Sequence, residues 1–187
     1  TAHSWELYGV RNWILAFLLT LPAVMTTENP SLWAGVLAGV VMTVGGLGNL
    51  LSGWASDYVG RSTAIGVALG TSTTITIALG FLQWLPLVAL VVLLVAYGIA
   101  LTGDSAPTST AITEVVDDGN VGAALAIQSL VGFSATAVSP VVFGLVLDRA
   151  GYRPAFLTLA AGAAIGLLCL GLLSRSRSNG TSDGTPA

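Results

Sequence analysis

The chain has no lysine, one cysteine and one histidine in 187 residues, and only 8% of it is charged. Soluble domains carry about three times that share of charge. Six basic and nine acidic side chains cannot cover the surface of a soluble domain of this length, and 54% of the residues are apolar. The composition belongs to the membrane class. A single cysteine, Cys169, excludes an intrachain disulfide. One histidine and one cysteine cannot build a buried zinc site, so neither metal nor cofactor is implied. A net charge of -3 with no basic stripe gives no footing for a nucleic-acid partner.

What the chain has instead is long apolar runs. A bilayer core of about 30 Å needs roughly 20 apolar residues in a helix. Six stretches qualify: Trp5–Met25, Leu32–Ala55, Ser62–Leu82, Leu85–Val115, Val121–Leu147 and Ala155–Leu173. They are continuous rather than alternating and too long for barrel strands, which need about 10 residues. Asn29-Pro30 offers a cap and a first-turn proline for the second run. The polar segment Asp117–Asn120 precedes the fifth, and Gly151 and Pro154 precede the sixth. Beyond Ser174 the sequence turns polar and rich in Gly and Ser, the composition of a disordered tail over 175–187.

Two turns repeat. GWASDYVGR begins at Gly53 and GLVLDRAGYR at Gly144, 91 residues later, each carrying G-x3-D-x2-G at the end of an apolar run. The first supplies Gly53, Asp57, Gly60 and Arg61; the second supplies Gly144, Asp148 and Gly151. A turn recurring every three spans marks duplicated helix triplets, 1–83 and 84–174, and three being odd, the second enters from the opposite face. The expected fold is all-α: a polytopic membrane protein with six transmembrane helices as two inverted three-helix repeats. With the N-terminus inside, Arg11, Arg61, Arg175 and Arg177 lie inside and Arg149 and Arg153 outside, which favours cytoplasmic termini. The chain opens on Thr1 rather than Met and reads as a processed chain or a fragment.

At GWASDYVGR the chain resembles the major facilitator superfamily, whose signature loop reads roughly G-x3-D-R-x-G-R-[KR]. Gly53, Asp57, Gly60 and Arg61 match, while Tyr58 and Ser62 stand where basic residues are usual. HSWELYGVRNW, GDSAPTSTAITEVV and GLVLDRAGYRPAF resemble the seventh, tenth and eleventh-to-twelfth helices of bacterial members. The resemblance covers about residues 1–175 and implies the C-terminal six-helix half of a twelve-helix transporter in a bacterial plasma membrane. It implies secondary active transport of a small solute by alternating access, with protons as a coupled partner. The first and fourth helices of this half would line the central cavity, and the second and fifth the interface with an N-terminal half. It also implies that Asp57 latches onto a helix N-terminus of that other half, drawn by the helix dipole.

Several residues could carry chemistry. Asp104 falls near the middle of the fourth run, where a carboxylate is expensive and usually functional. Gly103 and Pro107 flank it, so the helix should bend or loosen there. Asp104 is then a proton-carrying group beside Ser105, or else the cap of a restarted helix. The opening helix bears His3, Glu6, Tyr8 and Arg11. Glu6 and Arg11 lie about 140° apart around it and should meet different partners. The resemblance places Glu6, Tyr8 and Arg11 toward substrate. His3 reads better as an interfacial anchor beside the aromatic belt of Trp5, Tyr8 and Trp13. Gln128 lies well inside the fifth span, suited to interhelical bonding or substrate contact. Thr71, Ser72, Thr73, Thr74 and Thr76 read as bonding to their own helix carbonyls.

Two other readings compete with this one. Gly103-Asp104-Ser105 superficially fits the G-x-S of an intramembrane serine protease, but the single histidine, His3, lies on an earlier helix. An enzyme is therefore not expected. A six-helix protein that pairs with a second copy of itself, or a non-functional remnant, stays open beside the transporter half.

Overall fold

The computed structural model describes residues 1–180, and the expected tail from 181 onward lies outside the described residues. Among these residues the secondary structure is entirely helical. Helix α1 runs Ala2–Leu18 and α2 is the short Pro22–Met25; α3 is Pro30–Val59 and α4 is Arg61–Phe81. Then come α5, Leu87–Thr102, and α6, Ser105–Thr113, a single 3-10 turn at Asp118–Asn120, α7 at Val121–Ala150 and α8 at Tyr152–Gly180. Five helical stretches, with α5 and α6 counted as one, are long and apolar enough to cross a membrane. The sixth, α1, has 17 residues, about 26 Å of helix at 1.5 Å per residue, and α2 extends its path.

Two expectations about helix ends need correcting. The first run does not continue to Met25, because Pro22 has no amide to donate and its ring opposes the carbonyl four residues back. The chain turns at Leu19–Leu21 instead, with the Thr20 hydroxyl donating to Phe17 O at 2.7 Å. At the other end, α8 continues to Gly180, past the point near 174 where order was expected to stop. From Ser174 to Asn179 there is no Gly or Pro to interrupt a helix already propagating.

The strongest packing joins α4 to α8, α3 to α5 and α1 to α7. These neighbours map onto themselves when each span is exchanged for the one three places later. The α3–α5 contact becomes α7–α1, α4–α8 becomes itself, and α4–α5 becomes α8–α1. The turns obey the same exchange. Gly60 (φ 88°) ends α3 and Gly151 (φ 85°) ends α7, and no other described residue has positive φ. With ψ of 148° and -178°, both occupy a region open essentially only to glycine. Arg61, at the start of α4, bonds to Glu114, whereas the end of α4 meets the second turn, with Gly80 against Arg153. The 21 residues of α4 thus separate the two turns by about 31 Å.

The interior is apolar, with Phe17, Phe143 and Phe156 fully buried among α1, α7 and α8. Phe17 and Phe156 meet edge-on with centroids 4.8 Å apart. The exterior is apolar as well. Leu50, Trp54, Val67, Val88, Ile127, Leu130 and Phe133 are exposed along the helices. Water would not tolerate that surface on a dispersed protein; lipid does. This is a multi-pass membrane protein.

Candidate substrate and proton pathway

The site grows from the break in the fourth span. Helix α5 ends at Thr102 and α6 begins at Ser105, leaving Gly103 and Asp104 at the joint. An ordinary restart would use the Asp104 carboxylate as its cap, but that side chain makes no capping bond. The Ala106 amide donates to Oδ1 of Asn49 on α3 instead, at 3.1 Å. The Thr102 hydroxyl in turn donates to the Gly45 carbonyl of α3. With the cap supplied from a neighbouring helix, the Asp104 carboxylate is free to face elsewhere.

It faces His3. Nδ1 of His3 lies 2.6 Å from Oδ1 of Asp104, and Asp104 is 4% exposed. The approach is close but skewed: among the described residues no partner is aligned with Nδ1 for a hydrogen bond. Pairing here is electrostatic and depends on a proton on the imidazole. The anchor reading of His3 is therefore corrected. It stands one helical turn before Glu6, directed into the bundle at the break.

Two cavities share His3 in their walls, and Asp104 lines one of them. The more polar one, of about 470 Å³, lies between α1, α6 and α7, lined by His3, Ser4, Tyr8, Ser105, Ser109 and Gln128 together with Leu7, Leu125 and Phe133. Tyr8, Ser105 and Gln128, singled out from sequence, come together in its wall. A second, largely apolar cavity of about 650 Å³ lies between α1, α4, α6 and α8, with Asp104 and His3 in its lining beside Leu69, Ile112 and Ile165. His3 borders both.

Glu6 and Arg11 line neither cavity. Arg11 is exposed, its guanidinium 5.9 Å from the Tyr8 ring. Glu6 stands about 200° around α1 from Tyr8 and is 1% exposed. Its Oε2 accepts from the Ser72 hydroxyl at 2.9 Å, and its Oε1 from Thr76. The Tyr97 hydroxyl lies 2.7 Å from Thr76 Oγ1 and 3.5 Å from Oε1. Thr73 and Thr74 do bond their own helix, at Leu69 O and Gly70 O. For Ser72 and Thr76, the reading as purely local bonders is overturned. The partners lie 66 to 91 residues apart in sequence, and no local pattern distinguishes such hydroxyls from their neighbours.

The signature turn also has partners inside the chain. Arg61 binds Asp57 and Ser56, and reaches Glu114 at the end of α6 through Nη2 at 2.9 Å. The guanidinium therefore clasps the ends of α3, α4 and α6 on one face. In the second turn, the Gly144 position is closed by Trp13, whose ring stands 2.7 Å from where a Cβ would lie. Asp148 is exposed.

The Major Facilitator Superfamily profile matches residues 7–187, and the chain belongs to that family. No curated protein matches the chain. Among solved structures it is similar to an autoinhibited peptide transporter of the POT family, with a TM-score of 0.79 at 18% identity. That likeness takes in 94% of this chain and 35% of the transporter, so the chain spans about a third of its structural relative. The fold is half of the family architecture.

Proposed function

We propose that this chain is the C-terminal half of a secondary active transporter that moves a small solute by alternating access, coupled to protons through Asp104 and His3. The observation that carries it is the Asp104 carboxylate, released from capping by Asn49 and set against His3, the residue that borders both cavities. Opposed charges there can form when His3 gains a proton and lapse when it loses one. The polar cavity, walled by hydroxyls, an amide and Tyr8, supplies one side of a solute pathway. A second six-helix half, or a second copy, would supply the other. A bacterial plasma membrane with both termini cytoplasmic is the setting that fits, and the arginine distribution supports it.

Asp104→Asn in the full-length protein tests the coupling. Uptake driven by a pH gradient is expected to fall by an order of magnitude or more while the thermal melt stays near wild type. Undiminished proton-driven uptake would refute the role. Screening solutes by thermal stabilisation identifies the cargo, since a ligand at about 100 times its Kd stabilises by about 2.7 kcal/mol.

A further inference from the structure

Glu6 is a buried carboxylate outside both cavities. From α4 it is met by Ser72 and Thr76, and from α5 by Tyr97, all hydroxyl groups. The nearest other titratable groups are His3 on its own helix and Asp104 at the α5–α6 joint. The described charged side chain of α8, Arg153, lies at that helix's first turn over Phe81, and Asp148 and Arg149 close α7. No cation bonds directly to Glu6 among the described residues, and a permanently charged carboxylate in such a place is costly.

The hydroxyls can be counted proton by proton. With Glu6 ionised, Ser72 donates to Oε2, Thr76 donates to Oε1, and Tyr97 donates to Thr76. With Glu6 neutral, Oε2–H donates to Ser72 Oγ and the Ser72 proton turns to the Leu69 carbonyl, which already lies 3.1 Å away. Thr76 and Tyr97 need not change. When Ser72 turns back, Leu69 O is not stranded, because Thr73 Oγ1 also donates to it at 2.6 Å. Both protonation states are fully satisfied by the same heavy-atom positions.

We propose that Glu6 is a proton-binding site one residue behind the wall of the apolar cavity, in which rotation of the Ser72 hydroxyl between Glu6 and Leu69 compensates each gain or loss of the proton. The only covalent change is the O–H bond at Oε2; the proton comes from water and returns to it. A metal cation fits the site poorly, because the hydroxyls are spent on hydrogen bonds to the carboxylate and to one another and would have to turn away to coordinate it. The cage joins α1 and α4 of the first triplet to α5 of the second. A proton bound here thus acts on packing between triplets, and the site stands whether or not Asp104 couples transport.

Infrared difference spectra of the full-length protein, acid minus alkaline, read neutral carboxyl groups directly. A carbonyl band is expected that persists in Asp104→Asn and is lost in Glu6→Gln. In Ser72→Ala the same band should move to higher frequency, because the neutral acid loses its acceptor; in Ser72→Thr it should stay in place. Identical wild-type and Glu6→Gln spectra would overturn the site, as would a band governed by sodium rather than by acid. Should Glu6→Gln fail to fold, Ser72→Ala still decides: an unmoved band overturns the proposal.

Discussion

At the residue scale, this bundle separates positions by what lies within reach of a missing side chain. A Cβ on Gly48 would run into the Ile99 backbone, and one on Gly98 into the Val41 carbonyl, so α3 and α5 touch main chain to main chain. Gly46, two residues from Gly48, has open space around it. Gly48→Ala should therefore destabilise the protein by about 1–3 kcal/mol, the usual penalty of overpacking. Gly46→Ala should change stability by less than about 1 kcal/mol, with helix propensity in its favour. Reversible unfolding in detergent measures both. The sequence does not tell Gly46 from Gly48. Which of them touch is a matter of facing partner and register, and neither is written locally. The same holds for polar residues: Thr74 and Thr76 look alike on paper, yet one bonds its own helix and the other a carboxylate at the far end of the chain.

At the scale of the element, hydropathy and proline were the readable signals. The loosening at Gly103-Asp104 followed from Gly and Pro beside a carboxylate in an apolar run, and the helix does break there. The break at Pro22 used the same chemistry but was hidden inside a run of leucines, where apolar length outweighed the breaker. Asn49 was not legible at all, since its role exists only because α3 lies beside the restart of α6. Asn49→Ala removes the acceptor for the half-buried Ala106 amide, a loss of about 1 kcal/mol, the low end of the cost of an unsatisfied donor. The nearest replacement cap is Asp104 itself, which would then turn away from His3. Asn49→Ala is accordingly expected to weaken both thermal stability and proton-driven uptake, while Asn49→Asp, which keeps an acceptor oxygen, preserves the melt. Loss of stability with coupling intact would mean that Asp104 does not move when its substitute is removed.

For the whole molecule, the controlling feature is that three spans are used twice. Equivalent glycines end α3 and α7, equivalent helices pack in equivalent pairs, and the length of α4 holds the two turns apart. Periodicity in the sequence made this visible because G-x3-D-x2-G survives where side-chain identity elsewhere does not. At the first turn Arg61 clasps Glu114, whereas at the second Trp13 closes against the Gly144 position of the motif. The two faces of the molecule have diverged while sharing a backbone plan. If lipid surrounds the exposed leucines and phenylalanines, the Asp57 and Asp148 corners must emerge into different aqueous compartments. Single cysteines placed at Asp57 and at Asp148 in the full-length protein, on a background where Cys169 is replaced by serine, report this with a membrane-impermeant maleimide. In sealed right-side-out vesicles one corner should label and the other should not, and the pattern should invert in inside-out vesicles. Labelling of both from one side would mean that the second triplet threads the bilayer in the same sense as the first, which the placement of the turns at opposite ends of α4 does not permit.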